Sequence, residues 1–312
     1  MTIHLFILHS LVSAALYMSV KQGGAPAHQR LSFSDLRAQV SFLSQLFRGE
    51  FIFPTEGLDH NLSKTLGLLK ADNVIKVTRS NERSPSASDA TSSSEGSTDE
   101  VDWVEVSDQE REQGRENFDF YCFLIWPFIE AAWLGAISLL MLTPPAGREP
   151  TDSWLSLKAV QDRAQLLGKT LYHQGDLSYF EAVNKETLKN TYQRFEEEGM
   201  ILVAKSKDKN TPPTIRLADE WVPRRDSDGN VKAEGALWLF AERISASRRE
   251  GKNRRDGATV QTRVLSLAER VGAELWEGGT AAGARDREAE RAAAQAKSRR
   301  GKTKLAVPAS RL

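Results

Sequence analysis

The longest apolar run of the chain lies between Phe118 and Leu142, after acidic and Ser-rich sequence. It is long enough to cross a bilayer, which needs roughly 20 apolar residues. Glu130 near its middle opposes crossing, because an ionised group at the bilayer centre costs on the order of 3 kcal/mol. Three interpretations stay open: a protein-buried helix, which we favour, a membrane-spanning helix, or an interfacial helix with Trp126 and Trp133 at the membrane surface.

Pro127 lies inside this run and lacks the backbone N–H that a continuous helix would use. Proline is well tolerated in the first turn of a helix. The sequence therefore predicts a short helix up to Trp126 and a longer one that begins at Pro127.

The segment from Thr2 to Val20 is also apolar, with helical recurrence at Leu5, Leu8, Val12 and Leu16. No positive charge precedes its apolar core, and no small-residue cleavage site of the usual form precedes Lys21, so a signal peptide is not favoured. We interpret the segment as a helix cut from a larger domain.

Amphipathic helices precede a strand on both sides of the apolar run. On the N-terminal side, the first helix contains Leu36 to Phe47, and Ser34 is its predicted N-cap. The second helix contains Leu62 to Leu69 and ends at Asn73, a left-handed cap. The strand Val74–Val77 follows it. On the C-terminal side the predicted elements are a helix from Ser156 to Gly175, a helix from Asn184 to Gly199, and a hairpin of Met200–Val203 with Thr214–Leu217. Two more helices follow, Leu237–Ser247 and one through Val260 and Val271.

These two sets form an internal repeat, because Glu50–Val77 resembles Asp176–Val203 without a gap, at an offset of about 126 residues. Each copy reads helix, turn, helix, strand, and the second adds a hairpin. This is the outline of a winged-helix-like module.

The predicted fold is mainly α with small β-hairpins and winged-helix-like elements. Residues 1–78 form a helical segment that ends in the first helix-helix-strand module, and residues 79–114 form a disordered, acidic, Ser-rich linker. Residues 115–255 contain the apolar central helix and the second module, and residues 256–312 contain a helix and a disordered basic tail.

The sequence shows no catalytic or metal-binding motif. The formal net charge is zero, the single cysteine, Cys122, lies in the apolar run, and the five histidines show no metal-ligand spacing. None of these histidines has an acidic residue five positions further along. We therefore predict no catalytic, cofactor-binding or metal-ligating residue, and no cofactor.

Two basic clusters, Arg243 to Arg255 and Lys297 to Lys304, could contact phosphate groups of nucleic acid or of an anionic membrane. A solvated charged face is the favoured interpretation. Nucleic-acid binding is not favoured, because neither cluster contains aromatic residues that could stack on bases.

Three long stretches resemble the C-terminal region of glycerol-3-phosphate acyltransferases, with the closest likeness to fungal members and with dihydroxyacetone-phosphate acyltransferases as relatives. They are LFRGEFIFPTEGLDHNLSKTLGLLKADNVIKV, NFDFYCFLIWPFIEAAWLGAISLLMLTPP and LYHQGDLSYFEAVNKETLKNTYQRFEEEGMILV. The loop from Ser19 to Gly24 fits as well. The motif FPTEG is similar to a motif of the family, but its surroundings match the C-terminal region, so no substrate-binding role is transferred to Glu56.

The resemblance implies a membrane-associated enzyme that transfers an acyl group from a thioester to the sn-1 hydroxyl of glycerol 3-phosphate. In the family a histidine acts as base and an aspartate separated from it by four residues orients it. This pair is missing here, so we expect an accessory C-terminal region that is inactive without a catalytic domain.

The expected partners are a membrane surface or lipid, with acyl-CoA and glycerol 3-phosphate bound only through a catalytic domain. The expected location is an intracellular membrane, either that of the endoplasmic reticulum or the mitochondrial outer membrane. The alternatives are a non-catalytic winged-helix-like binding module and a membrane adaptor.

Overall fold

The computed structural model describes residues 2–79, 101–150, 153–205, 212–250 and 260–277. Within these residues the chain is mainly helical and contains two small antiparallel sheets of three strands each, which confirms the predicted fold class. The helices and sheets divide into two modules that have the same order of elements.

The first module contains an apolar helix, a short strand, two helices and two strands. These are α1 (Thr2–Val20), β1 (Arg30–Ser32), α2 (Phe33–Leu46), α3 (Leu58–Ala71), β2 (Ile75–Arg79) and β3 (Val101–Val106). The second module, reached through α4 (Asp108–Glu112), repeats this order. Its elements are α5 (Glu116–Ser138), β4 (Leu155–Ser156), α6 (Leu157–His173), α7 (Lys185–Glu197), β5 (Ile201–Ala204) and β6 (Thr214–Leu217). Two helices follow, α8 (Ala236–Ala246) and α9 (260–277).

The two sheets share strand order and register, so the predicted repeat is visible in the structure. The strand order is β1-β3-β2 in the first sheet and β4-β6-β5 in the second. In the first sheet, Leu31 and Val77 both lie opposite Val104. In the second sheet, Leu155 and Val203 both lie opposite Ile215.

The ends of the last helix in each module are also equivalent. Asn73 and Gly199 follow α3 and α7 with φ values of 56° and 73°, which is the left-handed conformation. This conformation was predicted for Asn73, and Gly199 was predicted as the end of its helix. Ser156 and Asn184 cap α6 and α7 as predicted. The N-cap of α2 is Ser32, which accepts a hydrogen bond from the Asp35 backbone N–H, so the assignment of Ser34 as this cap is wrong.

Helix α5 is the centre of the structure, and α1 of the first module packs along it. Every residue from Ile129 to Ser138 is buried, whichever side of the helix it is on. The segment Glu116–Leu142 is long and apolar enough to span a membrane. Its most apolar window of 18 residues has a mean hydropathy of 1.8, yet 78% of that window is buried inside the protein. This burial favours the first of the three interpretations, a helix buried in protein.

Helix α5 continues through Pro127, so the prediction of two helices that meet there is wrong. A proline inside a helix removes one hydrogen bond and costs about 3 kcal/mol. Buried side chains lie on both sides of the proline, including Ile125, Trp126 and Ile129. We attribute the continuity of the helix to their packing, because breaking the axis at Pro127 would separate these contacts.

The prediction that residues 79–114 form a disordered linker is wrong for the C-terminal part of this range. Residues 101–112 form β3 and α4, and β3 is the central strand of its sheet, paired on both edges. Val104 and Val106 supply the buried face of this strand, with 0% and 1% exposure. Residues 80–100 and the predicted basic tail after residue 277 lie outside the described residues.

Candidate functional site

The site is built around Glu130, which lies in the middle of α5 and is fully buried. Its carboxylate accepts hydrogen bonds from the backbone N–H of Ser178, at 2.9 and 3.0 Å, and from that of Tyr179, at 2.8 Å. Both donors belong to the loop between α6 and α7, where no regular element satisfies them. Glu130 therefore ties the central helix to this loop.

Arg248, which follows α8, faces the same carboxylate. Its guanidinium lies 3.6 Å from a Glu130 oxygen and 3.6 Å from the centre of the Trp133 ring. It also donates to the Asp176 backbone carbonyl, at 2.5 Å. The Asp176 carboxylate in turn forms an ion pair with Arg263 of α9. Glu130, Asp176, Arg248 and Arg263 together form what we call the ion cluster, with two carboxylates and two guanidinium groups.

Burial governs the electrostatics of the ion cluster. It raises the pKa of Glu130, while Arg248 and the two backbone N–H groups oppose this shift. It raises the pKa of Asp176, opposed mainly by Arg263. It lowers the pKa of Arg248, opposed mainly by Glu130. Each buried charge thus depends on its partner to offset the cost of leaving water.

A cavity of about 620 Å³ adjoins the ion cluster, between the loop after α1, helices α5 and α8, and the start of α9. Its apolar lining consists of Trp133, Ile137, Trp238, Ala241, Val260 and Val264. Its charged lining includes Lys21, Asp176, Arg248 and Arg249. Lys21 donates to the Ser245 carbonyl at 2.8 Å, and burial, reinforced by Arg248, lowers its pKa from 10.5 to about 8.

This arrangement is suited to binding and to fastening helices together. Among the described residues, no histidine is hydrogen-bonded to a carboxylate, and no group of three metal-ligating side chains is present. His9 is half-buried against the Tyr121 ring, and burial lowers its pKa.

In the described part of the first basic cluster, Arg243 and Arg249 are exposed, as expected of a solvated charged face, whereas Arg248 is buried. Arg243 donates to the Ala38 carbonyl at 2.9 Å, Arg248 is buried, and Arg249 lies over the Phe123 ring at 5.0 Å. Residues 251–255 and 297–304 lie outside the described residues.

Sequence reasoning missed the ion cluster, although it singled out one of its members. Glu130 was noted only as an obstacle to membrane crossing. A carboxylate within an apolar helix also signals a buried partner, because an isolated charge is too costly to bury. The sequence does not say that the partners are Ser178, Tyr179 and Arg248, since they lie far from Glu130 in the chain.

Comparison with known proteins identifies the family. No curated protein matches the chain. A family model, described as the glycerol-3-phosphate acyltransferase C-terminal region, matches residues 1–204. This range includes the first module and the second module as far as β5, and it confirms the resemblance inferred from the three long stretches. Because the match covers more than half of the 312 residues, the chain belongs to the family of glycerol-3-phosphate acyltransferase C-terminal regions.

Proposed function

We propose that the chain acts as the accessory C-terminal region of a glycerol-3-phosphate O-acyltransferase, the enzyme that forms lysophosphatidate from acyl-CoA and glycerol 3-phosphate. The observation that carries this proposal is the family match over residues 1–204. The accessory region supports a catalytic domain and helps to hold it at an intracellular membrane, either that of the endoplasmic reticulum or the mitochondrial outer membrane.

The chemistry of the described residues supports a non-catalytic role. Acyl transfer to a hydroxyl requires a base that is held in orientation, commonly by a carboxylate. The buried carboxylates Glu130 and Asp176 are instead occupied by arginines and backbone N–H groups. Acyl-CoA and glycerol 3-phosphate would therefore bind to a separate catalytic domain.

An exposed apolar surface on the first module suits contact with such a domain. Leu5, Ile52 and Leu68 are 76%, 85% and 46% exposed and border one cavity of about 460 Å³. Apolar side chains that are exposed together often mark protein interaction sites. Replacing two of them with serine should weaken the contact without disturbing the buried core.

The proposal is tested with the purified chain and with the catalytic domain of a family member that is supplied separately. We expect the chain alone to give no turnover of glycerol 3-phosphate with acyl-CoA, and to be retained by the immobilised catalytic domain. The double variant Leu5→Ser, Ile52→Ser should lose retention, whereas Leu239→Ser, at an exposed leucine of α8, should keep it. Turnover by the chain alone, or no retention of the unaltered chain, would contradict the proposal.

The alternative from another class is a winged-helix-like binding module, which the duplicated order of helices and strands favours. The charges of α7 weaken it for nucleic acid, because its basic side chains already pair with acidic ones. Lys185 pairs with Asp162 at 2.9 Å and Arg194 with Glu197 at 3.0 Å. A salt-sensitive shift of DNA in a gel would support this alternative. Liposome flotation without retention by a catalytic domain would favour a membrane adaptor.

A further inference from the structure

The cavity beside the ion cluster is larger than the cavity of about 460 Å³ that Leu5, Ile52 and Leu68 border. Its volume of about 620 Å³ falls in the range of roughly 300–1,000 Å³ that is typical of small-molecule sites. Trp133, Ile137 and Trp238 provide apolar walls on two different helices, α5 and α8. Such walls accommodate a hydrocarbon chain by removing its surface from water.

Two of the cations that border the cavity form no close ion pair among the described residues, although Glu250 attracts Lys21 and Asp119 attracts Arg249 at longer range. Lys21 donates to the Ser245 carbonyl, and Arg249 lies over the rings of Phe123 and Trp126. Neither forms an ion pair with a described acidic side chain. This distinguishes them from Arg248 and Arg263, whose charges are offset by Glu130 and Asp176.

Two cavity-lining residues of the ion cluster also carry buried polar atoms that have no partner among the described residues. They are Nε of Arg248 and Oδ2 of Asp176, on side chains that are more than nine-tenths buried. A buried donor or acceptor without a partner is costly, so native structures seldom leave one unsatisfied. Glu242 borders the cavity as well, so its polar lining offers an acceptor beside its donors.

We propose that this cavity binds a single-chain anionic lipid, whose hydrocarbon chain lies against Trp133, Ile137 and Trp238. Its carboxylate or phosphate headgroup is held by Lys21 and Arg249. The acceptors in the lining favour a headgroup that also carries hydroxyl groups. The inference rests on the lining of the cavity and does not depend on the proposed accessory role.

Binding is measured with the whole chain through its tryptophan fluorescence, because Trp133 and Trp238 line the cavity. The probes are oleoyl lysophosphatidate, oleate, monooleoylglycerol and inorganic phosphate, all below the concentrations at which they form micelles. We expect binding of one or both anionic lipids, at least tenfold weaker binding of the neutral lipid, and no binding of inorganic phosphate in the same concentration range. Equal affinity for the neutral lipid, equal affinity for free phosphate, or no binding of either anionic lipid would overturn the proposal.

Variants place the ligand in the cavity. The double variant Lys21→Met, Arg249→Met should weaken binding of the anionic lipid at least tenfold, or about 1.4 kcal/mol. Its control is Lys169→Met, at an exposed lysine of α6, which should bind as the unaltered chain does. Val260→Trp, at a half-buried position, should fill the cavity and abolish binding, whereas Leu239→Trp on the exposed face of α8 should not. Unchanged binding by both cavity variants, with thermal melting that shows them folded, would refute the site.

Discussion

Replacing Glu130 with glutamine tests whether the ion cluster holds the central helix to the rest of the protein. The substitution keeps the shape of the side chain but removes its charge. One of its two oxygens becomes an NH₂ group, which would face either the backbone N–H donors of Ser178 and Tyr179 or the guanidinium of Arg248. Arg248 would remain buried with its charge no longer offset at this position.

The expected loss follows from the burial of both partners, since the side chains of Glu130 and Arg248 are 0% and 7% exposed. Removing one partner of a buried ion pair typically costs about 3–5 kcal/mol. Because Arg248 keeps its contact with the Trp133 ring and its bond to the Asp176 carbonyl, we expect the lower end, about 3 kcal/mol.

The measurement is urea unfolding, in which a lower midpoint with an unchanged slope reports a loss of stability. The control is Glu112→Gln, at an exposed position of α4, for which a change within about 0.5 kcal/mol is expected. Adding Arg248→Met to Glu130→Gln should cost less than the sum of the two single changes, by about 1–3 kcal/mol, because the two side chains interact. A loss below about 1 kcal/mol for Glu130→Gln, or strictly additive effects, would refute this reasoning.

Three other predictions concern the helices and the cavity. Gly135→Ala should lower the free energy of unfolding by about 1–3 kcal/mol, because the added Cβ would lie 2.5 Å from the Thr191 side chain. Its control, Gly67→Ala, adds a Cβ that meets no other atom and should raise the free energy of unfolding by about 0.5–1 kcal/mol. Thermal melting of both variants tests this prediction. Pro127→Ala should raise the free energy of unfolding by about 1–2 kcal/mol by restoring a backbone donor, and an unchanged or lower urea midpoint would contradict this. Lys21 loses its proton near pH 8 in the folded state and near pH 10.5 in the unfolded state, so between these values the unfolded state binds more protons and stability should rise with pH. Urea midpoints between pH 8 and 9.5 should show this rise in the unaltered chain and a smaller one in Lys21→Met; equal slopes would contradict it.

The second module shows how far local sequence can predict structure. Its caps at Ser156 and Asn184, the end of α7 at Gly199 and its two hairpin strands were all predicted correctly. These features depend on residues a few positions apart, through capping hydrogen bonds, positive φ and alternation of apolar side chains. The same local logic revealed the repeat, since both copies carry these signals in the same order.

Local reasoning failed where distant contacts outweigh local preference. The strand Val101–Val106 follows acidic, Ser-rich sequence and was assigned to a disordered linker, but pairing on both edges makes it the centre of a sheet. By local rules, Pro127 predicts a helix boundary. The helix nevertheless continues through Pro127, and residues on both sides of the proline are buried against other elements. In both cases the stabilising contacts come from other elements of the fold.

By itself, the sequence determined the helical character of the chain, the duplicated modules, the apolar central segment and the family resemblance, because periodicity and local motifs encode them. Only the tertiary structure decided what lies around Glu130. It brings Ser178, Tyr179 and Arg248 to this carboxylate, and it places Lys21 and Arg249 beside the adjoining cavity. The physical reason is that a buried charge requires partners of opposite charge or hydrogen-bond donors. Which residues become these partners depends on how α5, α8 and α9 pack together, and local sequence does not encode that packing.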